Sequence, residues 1–203
     1  MLGTPRLLRR LRRRSFTELV SVAAIAVLLG AASVLLVPGA VGALGALLAI
    51  CMVLIAAVDA RYLIIPDALT VSALMVGLLS AALAADGIGA AALLLPAARG
   101  AAFALTLLAV RVLYRRFRGR EGLGLGDVKL AFVAGVWLDA LTIPLTLELA
   151  ALSALAAYLG GQFGNGNRDI LTMRLPFGLF FAPSIWFGWL LQETMLKAAV
   201  SLF

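Results

Sequence analysis

The chain has 203 residues, of which 64% are hydrophobic and 13% charged, and its formal net charge is +7. This composition excludes a soluble domain with an ordinary polar surface, and the absence of histidine excludes Ser-His and Cys-His nucleophiles. The single cysteine, Cys51, excludes an internal disulfide and a cysteine-rich zinc site. Basic residues stand in short runs between apolar segments, so we expect contacts with membrane lipids and no nucleic-acid partner.

The first element is an apolar run over residues 20–37, preceded by six arginines between positions 6 and 14. A charged segment before an apolar core is typical of a signal peptide or of a first transmembrane helix. Small residues after Pro38 keep signal cleavage open. Because the run is longer than a usual signal core, we interpret it as a retained helix that follows a basic cytosolic segment over residues 1–18.

Six further apolar runs follow, and each approaches the length of about 20 residues that a membrane span requires. They cover residues 44–58, 69–85, 96–113, 130–143, 145–163 and 179–200. The sequence therefore predicts an all-α, polytopic bundle of about seven transmembrane helices, forming a single domain over residues 19–203.

Charge asymmetry predicts the orientation of these spans. With the N-terminus in the cytosol and alternating spans, every Lys and Arg except Arg99 and Lys197 falls on the cytosolic side. Such a bias follows the positive-inside rule and supports both the count of spans and their direction.

Two of the acidic residues stand apart from those in loops and at outer span ends. Asp59 closes the second span, and Asp127 precedes the fifth span within a glycine-rich segment. Both are predicted at the cytosolic boundary of the membrane, on helices that are distant in sequence.

Two carboxylates at one membrane face have a specific chemical use if their helices are neighbours. Like charges held close together raise one pKa, so that the pair shares a proton and supplies an acid and a base in one site. One carboxylate can then activate water while the other polarises a peptide carbonyl. This chemistry requires no metal and no cofactor.

Alternate glycines precede Asp127, at Gly122, Gly124 and Gly126. They allow the backbone to bend and to approach an extended substrate strand where a side chain would block it. A flexible loop in front of a helix is the structural alternative.

Three segments in order resemble the type IV prepilin peptidases, a family of Gly-x-Gly-Asp aspartic membrane proteases. The first motif is Asp59–Asp67, an Asp that ends a helix followed by Ile-Pro-Asp. The second is Gly124–Lys129, which includes a lysine two residues after the acid, and the third is Leu175–Gly178, a Pro-Phe-Gly element. Together they cover the chain from about Leu44 to its C-terminus.

This resemblance implies cleavage of the basic leader of type IV pilin or pseudopilin precursors at the cytosolic face of the bacterial inner membrane. It implies that Asp59 and Asp127 are the catalytic pair. Many members of the family also carry a cysteine-containing zinc domain and methylate the new amino terminus. Because the chain has neither those cysteines nor that domain, we expect a short peptidase without methyltransferase activity. The other residues that the motifs place around the site are Pro66, Asp67, Gly124, Gly126, Lys129, Pro176 and Gly178.

The charged neighbours of the motifs carry further expectations. Asp67 and Glu121 are candidates for binding the basic leader, and Asp67 is also placed as a helix N-cap. Lys129 either favours the ionised form of Asp127 or extends to the lipid headgroups. The arginines from Arg111 to Arg120 are interpreted as topology signals and anionic-lipid contacts, because they would repel a basic leader.

Three alternatives to this peptidase remain at the level of the sequence. A small transporter could bind a cation or relay protons through Asp59 and Asp127. A non-catalytic assembly scaffold would leave the paired acids unused. A Ser-Lys protease is disfavoured because Lys129 and Lys197 are predicted on opposite faces and neither has a serine at an evident site.

Overall fold

In the computed structural model of the chain, the described residues are 4–85, 89–119, 122–164 and 176–196, and they form seven α-helices. These are α1 Thr4–Leu36, α2 Ala40–Tyr62, α3 Asp67–Ala84, α4 Ala90–Arg118, α5 Leu125–Trp137, α6 Thr142–Gly164 and α7 Phe177–Leu191, which continues into a π-helical turn, Gln192–Leu196. No strand occurs among these residues. The all-helical fold predicted from the sequence is confirmed.

Five helices in the described part of the chain are long and apolar enough to cross a membrane: α1, α2, α3, α4 and α6. The other two are shorter, with 13 residues in α5 and 15 in α7. A helix of 13 residues is about 20 Å long, which is less than the hydrocarbon thickness of a bilayer. The chain is thus a polytopic membrane bundle in which five of the seven helices reach spanning length.

The helices pack around α2 and α5. α2 contacts α1, α3 and α7, while α5 contacts α3, α4 and α7, and α6 packs mainly on α7. α2 and α4 end, and α3, α5 and α7 begin, at the same end of the bundle. We call this end the motif end, because the helix starts and helix ends that carry the sequence motifs lie there.

The fifth helix ends six residues earlier than the predicted span over 130–143, and Arg99 accounts for the difference. The Arg99 Nε donates a hydrogen bond to the Gly135 carbonyl at 2.8 Å, and its Nη1 contacts Asp139 Oδ1 at 3.1 Å. A cation at a helix C-terminus satisfies carbonyls that lack intrahelical partners. Arg99 lies within α4, which begins at Ala90, so this exception to the predicted charge asymmetry has a local structural role.

Two tryptophans fill the centre of the bundle against glycines. The Trp137 indole packs on Gly77 of α3 and donates a hydrogen bond to the Ala73 carbonyl at 2.9 Å. The Trp189 indole lies against Gly45 of α2 and meets Trp137 edge to face, with ring centroids 6.1 Å apart. Small residues at these contacts let the helices approach closely, as is common within membranes.

The Gly45→Ala substitution should therefore destabilise the protein by about 1–3 kcal/mol, because the added methyl group would overlap the Trp189 ring. Gly30→Ala is the matched control, since its methyl group would lie at an ordinary 3.6 Å from the Ala46 Cβ. Thermal unfolding in detergent measures both. Equal melting temperatures for the two variants would contradict the packing described at Gly45.

Candidate active site

The side chain of Asp59 lies at the start of α7. Asp59 is in the last turn of α2, is 5% exposed, and its Oδ2 accepts a hydrogen bond from the Leu179 N–H at 2.9 Å. The Leu179 N–H belongs to the first turn of a helix, where backbone donors lack intrahelical partners and the helix dipole favours an anion. The first and third motifs therefore meet through one carboxylate.

Gly178 makes this approach possible. A methyl group on Gly178 would lie 2.8 Å from Asp59 Oδ2 and 3.0 Å from its Cγ. The first distance is shorter than real Cβ atoms show, and the second is at the tight end of their contacts. The glycine of the Pro-Phe-Gly element thus leaves room for the Asp59 carboxylate.

Asp127 lies in the first turn of α5, outside the five spanning helices, and is 7% exposed. Its Oδ2 accepts a hydrogen bond from the Gly124 N–H at 3.0 Å, which fixes the carboxylate over the helix start. The pKa of Asp127 is raised to about 6, chiefly by burial and to a smaller extent by the negative charge of Asp59. The Gly124 N–H and the Arg111 guanidinium act in the opposite direction and lower it.

The two aspartates line the same cavity, which has a volume of about 450 Å³. Its wall is formed by the first two motifs: Leu63, Ile64, Ile65, Pro66, Asp67, Gly124, Leu125, Gly126 and Lys129 complete the lining. Both acids therefore lie against one cavity at the motif end. A water molecule and an extended peptide segment both fit a cavity of this size.

Ile65 joins the three motifs at the base of the cavity. It is 8% exposed, and methyl groups on Gly126 or Gly178 would lie only 3.0–3.1 Å from its side chain. The chain reaches Ile65 through Leu63, which ends α2 in the left-handed conformation with φ 55°. This conformation is costly for a non-glycine residue, so the segment after Asp59 is held by its surroundings.

Lys129 and Asp67 form an ion pair across the rim of the cavity, with 2.5 Å between Nζ and Oδ1. Both side chains are more than half exposed. Among the described residues, Lys129 thus pairs with Asp67, an acid that was not one of its two predicted contacts. Asp67 is also the first residue of α3 instead of its N-cap, which is Pro66.

Pro176 and Glu121 are the remaining residues predicted at the site. Pro176 is the N-cap of α7, directly before the turn that holds Asp59. Glu121 lies outside the described residues. Within the described part of the chain, no group of three or more Cys, Asp or Glu side chains is placed to hold a metal ion.

Ile65, which the sequence analysis included only as part of the first motif, lines the cavity. Arg111 of α4 does not line it, but its positive charge acts to lower the pKa of Asp127. Arg111 was grouped with its exposed neighbours, although Leu107 one turn before it is apolar and buried. The spacing of four residues between Leu107 and Arg111 places both on one face of α4. This spacing in the sequence indicated that Arg111 shares a helix face with an apolar residue.

A family model for the type IV leader peptidase family matches residues 46–159 of the chain. The matched range contains Asp59 and Asp127. The prepilin leader peptidase/N-methyltransferase of Klebsiella pneumoniae is 38% identical over 61% of the chain and 52% of its own length. The protein of the same name from Burkholderia pseudomallei K96243 is 34% identical over 75% of the chain and 48% of its own length.

A shorter match is the leader peptidase HopD of Escherichia coli, 39% identical over 35% of the chain and 45% of its own length. The chain spans about half the length of the curated relatives that it matches. No solved structure matches it.

The raised pKa of Asp127 predicts a pH-dependent stability. An unfolded aspartate titrates near pH 3.9. Between about pH 4 and 6 the folded protein therefore holds a proton that the unfolded chain has released, so stability declines as the pH rises through 6. Asp127→Asn should gain about 2–3 kcal/mol relative to the unsubstituted protein between pH 4 and 7.5. Unfolding of both proteins in detergent, measured across this pH range, tests the prediction. If their difference in unfolding free energy does not change with pH, Asp127 is not a buried ionisable group.

Proposed function

Because the chain belongs to the type IV leader peptidase family, we propose that it is an aspartic endopeptidase that cleaves the leader of type IV pilin-like precursors. Asp59 and Asp127 are the catalytic pair in this proposal. The observation that carries it is the pair itself: two buried carboxylates, from separate helices and separate motifs, line one cavity. Methyltransferase activity, which appears in the names of the relatives, is not part of the proposal.

The Oδ2 of each carboxylate accepts a hydrogen bond from one backbone N–H at a helix start, from Leu179 for Asp59 and from Gly124 for Asp127. The proposal assigns the role of base to Asp59. The pKa of Asp127, raised to about 6 by burial, suits it to hold the proton that the pair shares. Asp59 then takes a proton from water as it attacks the peptide carbonyl, while Asp127 polarises the carbonyl oxygen. Proton return to the leaving amine completes hydrolysis.

Substrate backbone has a place to bind beside the pair. The segment from Leu63 to Pro66 runs without helical structure along the cavity, and Leu63 and Ile64 are exposed. A non-helical segment offers unpaired backbone groups to an extended peptide. Gly124 and Gly126 line the same cavity, and their missing side chains let the Asp127 carboxylate and Ile65 pack close to the backbone there.

The positive charges at the motif end indicate how the protein is oriented in the membrane. The motif end carries the exposed arginines at the end of α4, and Arg61 at the end of α2. Positive charge at one end of a bundle faces the cytosol. We therefore place the protein in the bacterial inner membrane with its cavity facing the cytosol, where a leader awaiting removal is accessible.

The transporter alternative would use the same two acids to move a cation or protons. The family that matches is a peptidase family, and the matching relatives carry peptidase names. Neither gives support to transport. The peptidase proposal accounts in addition for the non-helical segment beside the pair.

Asp59→Asn and Asp127→Asn should each lower the rate of leader cleavage by a factor on the order of 10² or more, because each removes a proton-transfer group. Purified variants are incubated with a pilin-like precursor, and folding is checked by thermal unfolding. Glu148→Gln is the matched control, since this exposed acid on α6 lies outside the cavity. Normal cleavage by either aspartate variant would refute the shared pair.

The ion pair at the rim predicts how a basic leader is bound. Leader cations would compete with Lys129 for the Asp67 carboxylate, so Asp67→Asn should raise KM several-fold at an unchanged kcat. Lys129→Gln leaves Asp67 available and should lower KM for the same precursor.

The control for this prediction is Glu18→Gln, an exposed acid that pairs with Arg61 outside the cavity. Its KM should match that of the unsubstituted protein. If Asp67→Asn lowers kcat and leaves KM unchanged, Asp67 does not bind the leader.

A further inference from the structure

The basic segment at the end of α4 divides into exposed arginines and one buried arginine. Arg115, Arg116 and Arg118 are exposed, whereas Arg111 is only 9% exposed. A topology signal or a lipid contact requires an exposed cation, and burying a guanidinium costs free energy unless it has a partner. The position of Arg111 therefore calls for a separate explanation.

The crossing of α4 and α5 places Arg111 at the depth of Asp127. The two antiparallel helices touch at Gly100 and Gly135, where a methyl group on Gly135 would lie 2.6 Å from the Gly100 Cα. From that crossing, Arg111 lies about 16 Å and Asp127 about 12 Å toward the motif end. Helical side chains lean toward the N-terminus, so the long Arg111 side chain points back to the level of the Asp127 carboxylate.

The connection between the two helices folds over the same face of α4. Tyr114, three residues after Arg111, packs against Gly122, where a methyl group would lie 2.6 Å from its ring. Residues three apart share a helix face. The face of α4 that carries Arg111 and Tyr114 thus lies against the glycine-rich segment that leads into α5.

The charged groups near Asp127 come from several helices among the described residues, which do not include positions 120 and 121. Asp59 comes from α2, and Arg111 comes from α4. Asp67 of α3 and Lys129 of α5 pair with each other at the rim, and α7 contributes no charged residue over Phe177–Leu191. The positive charge of Arg111 lowers the pKa of Asp127, whereas the negative charge of Asp59 raises it.

Building on the proposed function, we propose that Arg111 is a positioning residue for the catalytic pair. Its buried guanidinium, presented by α4 at the start of α5, orients Asp127 and sets how much negative charge the two carboxylates carry together. Two aspartates with one shared proton carry a single negative charge, which one guanidinium balances. Arg111 therefore has a different role from its exposed neighbours, which act as topology signals and lipid contacts.

The pH profile of leader cleavage tests this role. In the proposed mechanism, the alkaline limb of kcat/KM reports loss of the Asp127 proton. Arg111→Gln should move that limb to higher pH by about half a pH unit or more, because a cation that opposed protonation is gone. Arg111→Lys keeps the charge and should leave the limb near its original position. Arg116→Gln removes an exposed charge from the same helix and should leave the profile unchanged.

A limb in Arg111→Gln that coincides with the unsubstituted protein would overturn the proposal, even if the rate fell. If Arg111→Gln does not fold, the double variant Arg111→Gln/Asp127→Asn replaces it. Loss of the carboxylate should then restore folded yield, because the buried charge that Arg111 balanced is absent. A double variant as unstable as the single variant would also overturn the role.

The test separates this inference from the peptidase proposal. If the unsubstituted protein cleaves no precursor, the proposed function fails, but the pH dependence of unfolding still reports Asp127. Arg111→Gln should then move the decline in stability to higher pH, whereas Arg116→Gln should not. An unmoved decline in Arg111→Gln would overturn the proposed effect of Arg111 on Asp127 itself.

Discussion

Burying two carboxylates at one end of a membrane bundle costs free energy, and other interactions in this structure offset that cost. Like charges that are buried close together repel each other and lose hydration. Helix starts supply the compensation: Leu179 N–H at the start of α7 binds Asp59, and Gly124 N–H at the start of α5 binds Asp127. Broken helices of transporters stabilise anions by the same means. The site therefore depends on where α5 and α7 begin.

Several features of the fold fix those two helix starts. Gly178 and Gly126 leave no side chain between the carboxylates and Ile65, so the three motifs pack directly on one another. At the other end of α5, Arg99 binds the final carbonyls and allows this helix to end short of a full span. Tyr114 then supports the segment that leads into α5. The short α5, held at both ends, presents Asp127 at a defined depth, which a longer and freely tilting span would not ensure.

The sequence predicted the helical class, the end of the bundle that carries the site, and the pairing of Asp59 with Asp127 in one place. These follow from hydropathy, charge asymmetry and motif spacing, which are local or additive along the chain. It did not predict the end of α5 at Trp137, because Arg99 comes from another helix. It also did not predict that Lys129 pairs with Asp67, because the two residues lie on different helices. Arg111 was grouped with exposed neighbours because burial depends on how α4 crosses α5.

In the proposed mechanism, Asp59 and Asp127 act on the same substrate atoms. The most direct measurement is an experimental structure of the protein with a pilin-like precursor whose scissile peptide is replaced by a non-cleavable hydroxyl isostere. We expect the hydroxyl to lie within hydrogen-bond distance of both carboxylates, with the flanking backbone extended along Ile64 and Ile65. A hydroxyl bound by one carboxylate alone, or a precursor seated away from the motif end, would contradict the account.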